Sequence, residues 1–187
     1  MSLRLHNSLS DKKEDFVPLR EGRVTLYVCG PTVYNDSHLG HAKTYVSFDV
    51  ILRYLKYRGF NTFYVQNITD VGHLMGDADE GEDKMLKRAR ELELEPMAVA
   101  ETYTTRHFQA MDRMGVIRPD ICPRATGHIP EQLEAIEKMI EAGLAYEVNG
   151  SVYFDVSKDP EYGKLSNRSF EEMQEGARVE VRQEKRN

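Results

Sequence analysis

Cysteine is scarce in this 187-residue chain: there are two, Cys29 and Cys122. Two cysteines make no disulfide framework, and they read as reduced thiols of a cytoplasmic protein. No apolar run approaches the length needed to cross a bilayer, which excludes a membrane-spanning helix and makes a membrane partner unexpected. The first residues, "MSLRLHNSLSDKKEDF", have no apolar core and so do not read as a signal peptide. Surplus positive charge is also missing. The formal net charge is -6, which argues against a protein that coats polyanions at large, although a local basic face stays compatible with it. Internal repeats, low-complexity tracts, C-x-x-C and H-E-x-x-H are all absent.

What remains is a soluble-looking chain, 40% hydrophobic, with one dense stretch. "RVTLYVC", Arg23 to Cys29, reads as a buried strand that Gly30-Pro31 breaks. Ser37 is placed to cap a helix through "HLGHAKTYVSFDVILRYLKYR", stopping at Gly59. Its apolar residues fall in two adjacent rows, Ala42, Val46, Val50 and Tyr54 beside Tyr45, Phe48, Leu52 and Leu55. A stripe that wide suits a helix lying flat on a sheet. "NTFYVQN" follows as a second strand, and a crossover of this length makes the two strands parallel. Residues 82–94 are charged and helical in pattern, and Pro96 opens a further helix that Gly115 closes. From about residue 118 the texture changes. Pro130 starts a helix that Gly143 ends, Asn149-Gly150 marks a hairpin, and the tail after Val156 is polar and lacks a periodic face.

The chemistry concentrates where the first strand meets the helix. His38 and His41 are three apart, so both rings share one face of the first turn. That turn presents free N–H groups and partial positive charge, which favours an anion. Gly40 between the histidines allows close approach of a flat ligand. Ligands of parallel sheets bind beyond the carboxyl ends of the strands, where this seam falls. Two imidazoles here are suited to phosphate oxygens that gain charge in phosphoryl or nucleotidyl transfer. Cys29 ends the strand beneath them and admits three readings: a buried structural thiol, a nucleophile with His38 or His41 as base, or a metal ligand. Spacing alone does not choose among them.

"YVCGPTVYNDSHLGHAKTYVSFDVILRYL", with "VQNITDVGHLMGDADEGEDKM", "RPDICPRATGHIPE" and "GSVYFDV", resembles the cysteinyl-tRNA synthetase family of class I aminoacyl-tRNA synthetases. The resemblance runs from Leu3 to Asn187. "HLGH" matches the HIGH signature, and "YVCGPTVY" before it is the more diagnostic phrase. The resemblance implies an α/β fold: a partial Rossmann-like, HUP-type nucleotide-binding half with parallel strands in residues 1–117. A truncated connective insertion with a helix and a β-hairpin would occupy 118–187. It implies ATP-dependent activation of cysteine to cysteinyl-adenylate and its transfer to tRNA-Cys. His38 and His41 would be catalytic, and with Gly40 they would bind ATP, carried with Mg2+. Cys29, Gly30 and Thr69 would bind the substrate cysteine, Cys29 through a shared Zn2+. Asp70 is open between a loop cap and a binding role. The remaining zinc ligands, the KMSKS loop and the anticodon-reading part are expected beyond Asn187, so a missing C-terminal half is an expected partner and the chain alone is expected to be inactive. A mycothiol-pathway cysteine ligase and a non-catalytic nucleotide- or cysteine-binding remnant are the alternative readings.

Overall fold

The computed structural model describes residues 3–72 and 83–167. The elements in chain order are β1 (Arg4–Asn7), β2 (Lys12–Asp15), β3 (Arg23–Val28), α1 (Leu39–Tyr57), β4 (Asn61–Gln66), α2 (Lys84–Leu92), α3 (Pro96–Arg113), α4 (Ile129–Glu141), β5 (Ala145–Val148) and β6 (Ser151–Phe154). The described residues fall into two compact units, one formed by 18–72 with 83–128, the other by 3–17 with 129–167.

The first unit is the βαβ crossover that the hydrophobic pattern predicts. β3 and β4 pair in parallel, Arg23 opposite Asn61 through Val28 opposite Gln66. One face of the pair, Val24, Val28, Tyr64 and Gln66, is buried. Tyr45 and Leu52 of α1 and Met111 of α3 pack with Val28 and Tyr64 in one cluster. A second cluster joins Val33 and Ile68, just past the strand ends, to Met85 and Ala89 of α2 and to Val99, Ala100 and Tyr103 of α3. Asp83 caps α2 by accepting from the N–H groups of Met85 and Leu86.

Two details differ from the expectation, and a third goes beyond it. The N-cap of α1 is His38, not Ser37, because the imidazole itself accepts the Gly40 N–H. Only the row Tyr45, Leu52, Leu55 is buried, whereas Val46, Val50 and Tyr54 are exposed. Finally, the outer edge of β4 is not bare. Residues 120–125 run parallel along it, with bridges Val65 to Ile121 and Ile68 to Arg124. Hydrogen bonds from Gln66 N–H to Ile121 O (3.1 Å) and from Ile68 N–H to Pro123 O (2.8 Å) tie this third lane down. The opposite face of the β3–β4 pair is open among the described residues, with Tyr27 60% and Phe63 36% exposed. Parallel sheets are ordinarily covered on both faces; here the described residues cover one.

The second unit is made of local pieces. β5 and β6 form the hairpin that Asn149-Gly150 predicts, and both turn residues have positive φ (52° and 79°). Tyr146 and Tyr153 stack across it at 5.8 Å. The β1–β2 hairpin was not legible in the polar sequence; it turns at Asp11, φ 53°. Among the described residues no helix is long and apolar enough to cross a membrane. The polar tail after residue 167 and the start of the charged segment before Asp83 lie outside the described residues.

Candidate active site at the head of the first helix

Backbone packing at the ends of β3 and β4 builds the floor. An added Cβ at Gly30 would lie 1.5 Å from the Asn67 carbonyl oxygen, so no other residue fits. Gly30 N–H donates to Asn67 Oδ1 (2.7 Å), and the Tyr27 hydroxyl donates to the same atom (2.8 Å). Asn67 Nδ2 donates onward to Thr69 Oγ1 (3.1 Å), while Thr69 N–H donates to Pro31 O (3.0 Å). Gly30 and Thr69 are thus brought together through one amide side chain, a residue that pattern reading passed over. Its signal was a polar residue inside "VQNITD" where a strand end should be apolar.

The histidines are locked in a reciprocal capping box. Gly40 N–H donates to His38 Nδ1 (3.0 Å), and His38 N–H donates to His41 Nδ1 (3.1 Å). With both Nδ1 atoms accepting, the proton of each neutral ring sits on Nε2. The rings lie 4.0 Å apart at 36°. Burial, and next the neighbouring His38, pushes the His41 imidazole below its ordinary value, which keeps it neutral and the box intact. Gly40 has a local reason beside ligand access: a Cβ there would come within 2.8 Å of His38 Cε1. At this corner the chain presents two imidazole N–H donors beside the positive end of a nineteen-residue helix.

Cys29 is exposed. Its polar contact among the described residues is a long one, Sγ to Gly30 O at 3.9 Å, and neither His38 nor His41 is paired to the thiol. The nucleophile reading therefore lacks its base. Tyr45 connects the Cys29 backbone to the His41 ring. Its hydroxyl donates to Cys29 O (3.3 Å), and its ring stacks parallel to His41 at 6.4 Å. Burial, with Cys29 and Tyr64 nearby, raises the Tyr45 phenol, so the hydroxyl remains a donor. Among the described residues no group of three His, Cys, Asp or Glu side chains is placed to hold a metal ion. One exposed thiol does not make a zinc centre.

Asp70, whose role the sequence left open, is 4% exposed. It accepts from Thr126 N–H (3.0 Å) and from the Thr126 hydroxyl (2.6 Å), fixing the short turn at 126–128.

Residues 15–187 match the family described as tRNA synthetases class I (C), catalytic domain. The chain belongs to that family. It is 57% identical to a cysteine–tRNA ligase of Chlorobaculum tepidum, with 100% of this chain aligned to 39% of that protein. Against a cysteine–tRNA ligase of Thermus thermophilus it is 56% identical, over 99% of this chain and 38% of the relative. The chain thus spans about two fifths of the length of the curated relatives it matches. A solved LeuRS, in a ternary complex with tRNA and LeuAMS from Agrobacterium radiobacter K84, superposes with a TM-score of 0.53 at 19% identity. That match covers 71% of this chain and 16% of the LeuRS, and it supports the class I synthetase α/β fold of the family.

Proposed function

We propose that the chain is the N-terminal catalytic portion of a cytoplasmic cysteine–tRNA ligase, acting on ATP, cysteine and tRNA-Cys. Residues 1–117 are then the leading half of a HUP-type nucleotide fold. Residues 118–187 are then the connective insertion, entered by the lane along β4. The observation that carries the reading is the capping box. It fixes two imidazoles through Nδ1 and leaves each Nε2 without an acceptor among the described residues, at a helix N-terminus, at the carboxyl end of a parallel strand pair.

In the proposed reaction a carboxylate oxygen of cysteine attacks the α-phosphorus of Mg-ATP. The bond from that phosphorus to the bridging oxygen breaks, and pyrophosphate leaves with the electron pair. His38 and His41 donate to phosphate oxygens as charge builds. Such preorganised donors count most in the transition state, and losing one typically costs ~10²–10³ in rate. Gly40 keeps the first turn narrow, and Gly30 and Thr69 line the amino-acid side. Cys29 would be one thiolate ligand of a Zn2+ ion, whose other ligands the described residues do not provide.

The test is nucleotide binding read at the imidazoles. Saturating ATP or a non-hydrolysable cysteinyl-adenylate analogue should move the ¹⁵N and ¹H signals of His38 and His41, and replacing both with Ala should weaken nucleotide binding measured by calorimetry. Unmoved signals at saturation would overturn the reading. In ATP–pyrophosphate exchange the chain alone should be inactive, and a downstream half added in trans should restore exchange unless Cys29→Ala is present. Stoichiometric zinc together with exchange in the chain alone would contradict this.

A further inference from the structure

We propose that His107, on α3, is a positioning residue for the two site histidines: its Nδ1 holds the Ser37 hydroxyl and its ring braces Tyr45, which fixes both the loop entering α1 and the ring that backs His41. His107 is 2% exposed. Its Nδ1 lies 2.8 Å from Ser37 Oγ across seventy residues of sequence. Its ring meets Tyr45 edge-on, 5.1 Å between centroids at 73°. His41 also packs on Tyr45, parallel and stacked, 6.4 Å between centroids.

The reason to assign more than packing is the atom left over. His107 Nε2 is buried with no hydrogen-bond partner among the described residues. Burying a polar atom without a partner is unfavourable, and a Phe in the same cluster would avoid that penalty. What histidine adds over Phe is the bond to Ser37. Ser37 precedes His38, whose N–H is one of the two bonds of the capping box. Holding Ser37 therefore sets where that N–H points, and with it the ring of His41. Burial, then His41, then Arg118 push the His107 imidazole down to about 4, so the ring stays neutral and Nδ1 remains able to accept from the Ser37 hydroxyl.

The inference deepens the nucleotide-site reading and rests on it only for affinity. The experiment therefore has one arm that needs no nucleotide. In the parent chain, long-range ¹H–¹⁵N spectra should show His38 and His41 as pure Nε2–H tautomers. In His107→Phe and in Ser37→Ala the box should loosen, giving mixed tautomers at both residues and ATP binding weaker by about fivefold, the size of one net hydrogen bond. His107→Asn, whose Oδ1 stands near the former Nδ1 and accepts from Ser37, should restore the pure tautomers. If His107→Phe does not fold, Ser37→Ala, which leaves the buried ring in place, decides. Pure Nε2–H tautomers retained in Ser37→Ala would overturn the proposal, whatever the melting temperature does. A parent chain with pure tautomers but no ATP response would defeat the nucleotide reading and leave the positioning role decided by the tautomers alone.

Discussion

The two units of this chain are held together by different physics. Residues 18–72 and 83–128 contain every buried hydrophobic side chain among the described residues, from Val24 to Met111. Residues 3–17 and 129–167 contain none; α4 has no buried residue, and Leu133, Ile136 and Ile140 stand 36–55% exposed. The first unit is a packed interior whose side chains specify one another across long sequence separations. The second is a set of hairpins and a helix whose geometry is written locally. The proposed site belongs to the first kind, because placing an imidazole to a few tenths of an ångström needs neighbours that cannot move.

The sharpest way to break that comparison is one substitution made in both units. Gly30→Ala drives a methyl into the Asn67 carbonyl. Backbone cannot yield as a flexible side chain would, so the cost should be about 3 kcal/mol or more, at the upper end of overpacking. Gly150→Ala meets no atom within 4 Å and incurs only the positive φ of 79°, about 1–2 kcal/mol confined to the β5–β6 turn. Urea titration of each variant, with amide exchange to locate the loss, measures both. Equal costs, or a Gly30→Ala chain as stable as its parent, would refute the distinction.

Acid should separate the units next. In the folded chain His107 is held down to about 4 by burial, while an unfolded histidine titrates near 6.5. The unfolded state therefore binds the extra proton first as pH falls. The stability from a neutral His107 is complete above pH 6.5 and is lost on the way down to about 4. At about 1.4 kcal/mol per pH unit, the loss reaches about 2 kcal/mol by pH 5 and about 3 kcal/mol by pH 4. His41, also depressed, adds in the same direction. Exchange protection in α1 and α3 should fall between pH 6.5 and 5, and His107→Phe should flatten that slope. Protection in β5–β6 should not follow it. A parent and a His107→Phe variant with the same slope would show that His107 does not carry the acid sensitivity.

The same contrast explains what the sequence disclosed. Helices α1 to α4, the parallel β3–β4 pair and the Asn149-Gly150 hairpin follow from local rules: apolar period, Pro and Gly boundaries, and a turn dipeptide with positive φ. His38, Gly40, His41 and Cys29 were legible because they crowd into thirteen consecutive positions of one motif. The lane at 120–125 was not, since Pro119 and Pro123 interrupt any strand pattern and only hydrogen bonds to β4 define it. Nor was the His38 cap, because an imidazole is an uncommon N-cap and Ser37 beside it is a common one. His107, Asn67 and Tyr45 share this reason: their partners lie 70, 37 and 16 residues away, beyond the reach of any local pattern. The exposed half of the α1 stripe, Val46, Val50 and Tyr54, looks from sequence like core; which row is covered depends on what packs there, not on the helix.

The smallest expected effect tests the second unit where it resembles a core most. Ile129, Leu133, Ile136 and Ile140 recur at helical spacing along α4, a pattern that in the first unit marks buried residues. Here they are exposed, Ile136 by 36% and Leu133 by 55%. Substitutions at exposed positions that engage no cap, ion pair or special backbone fall within about ±0.5 kcal/mol. Ile136→Lys should therefore leave the urea midpoint of the first unit unchanged and α4 helical, since Lys is a good helix former. Its visible consequence should be colloidal: a charge set in an exposed apolar stripe should lower self-association in sedimentation velocity. The contrast with Leu52→Ala is the control. Leu52 is 1% exposed, and truncating such a side chain costs about 2–5 kcal/mol. A loss of that size on Ile136→Lys would mean that the α4 stripe is covered in solution and that the second unit has a hidden core of its own.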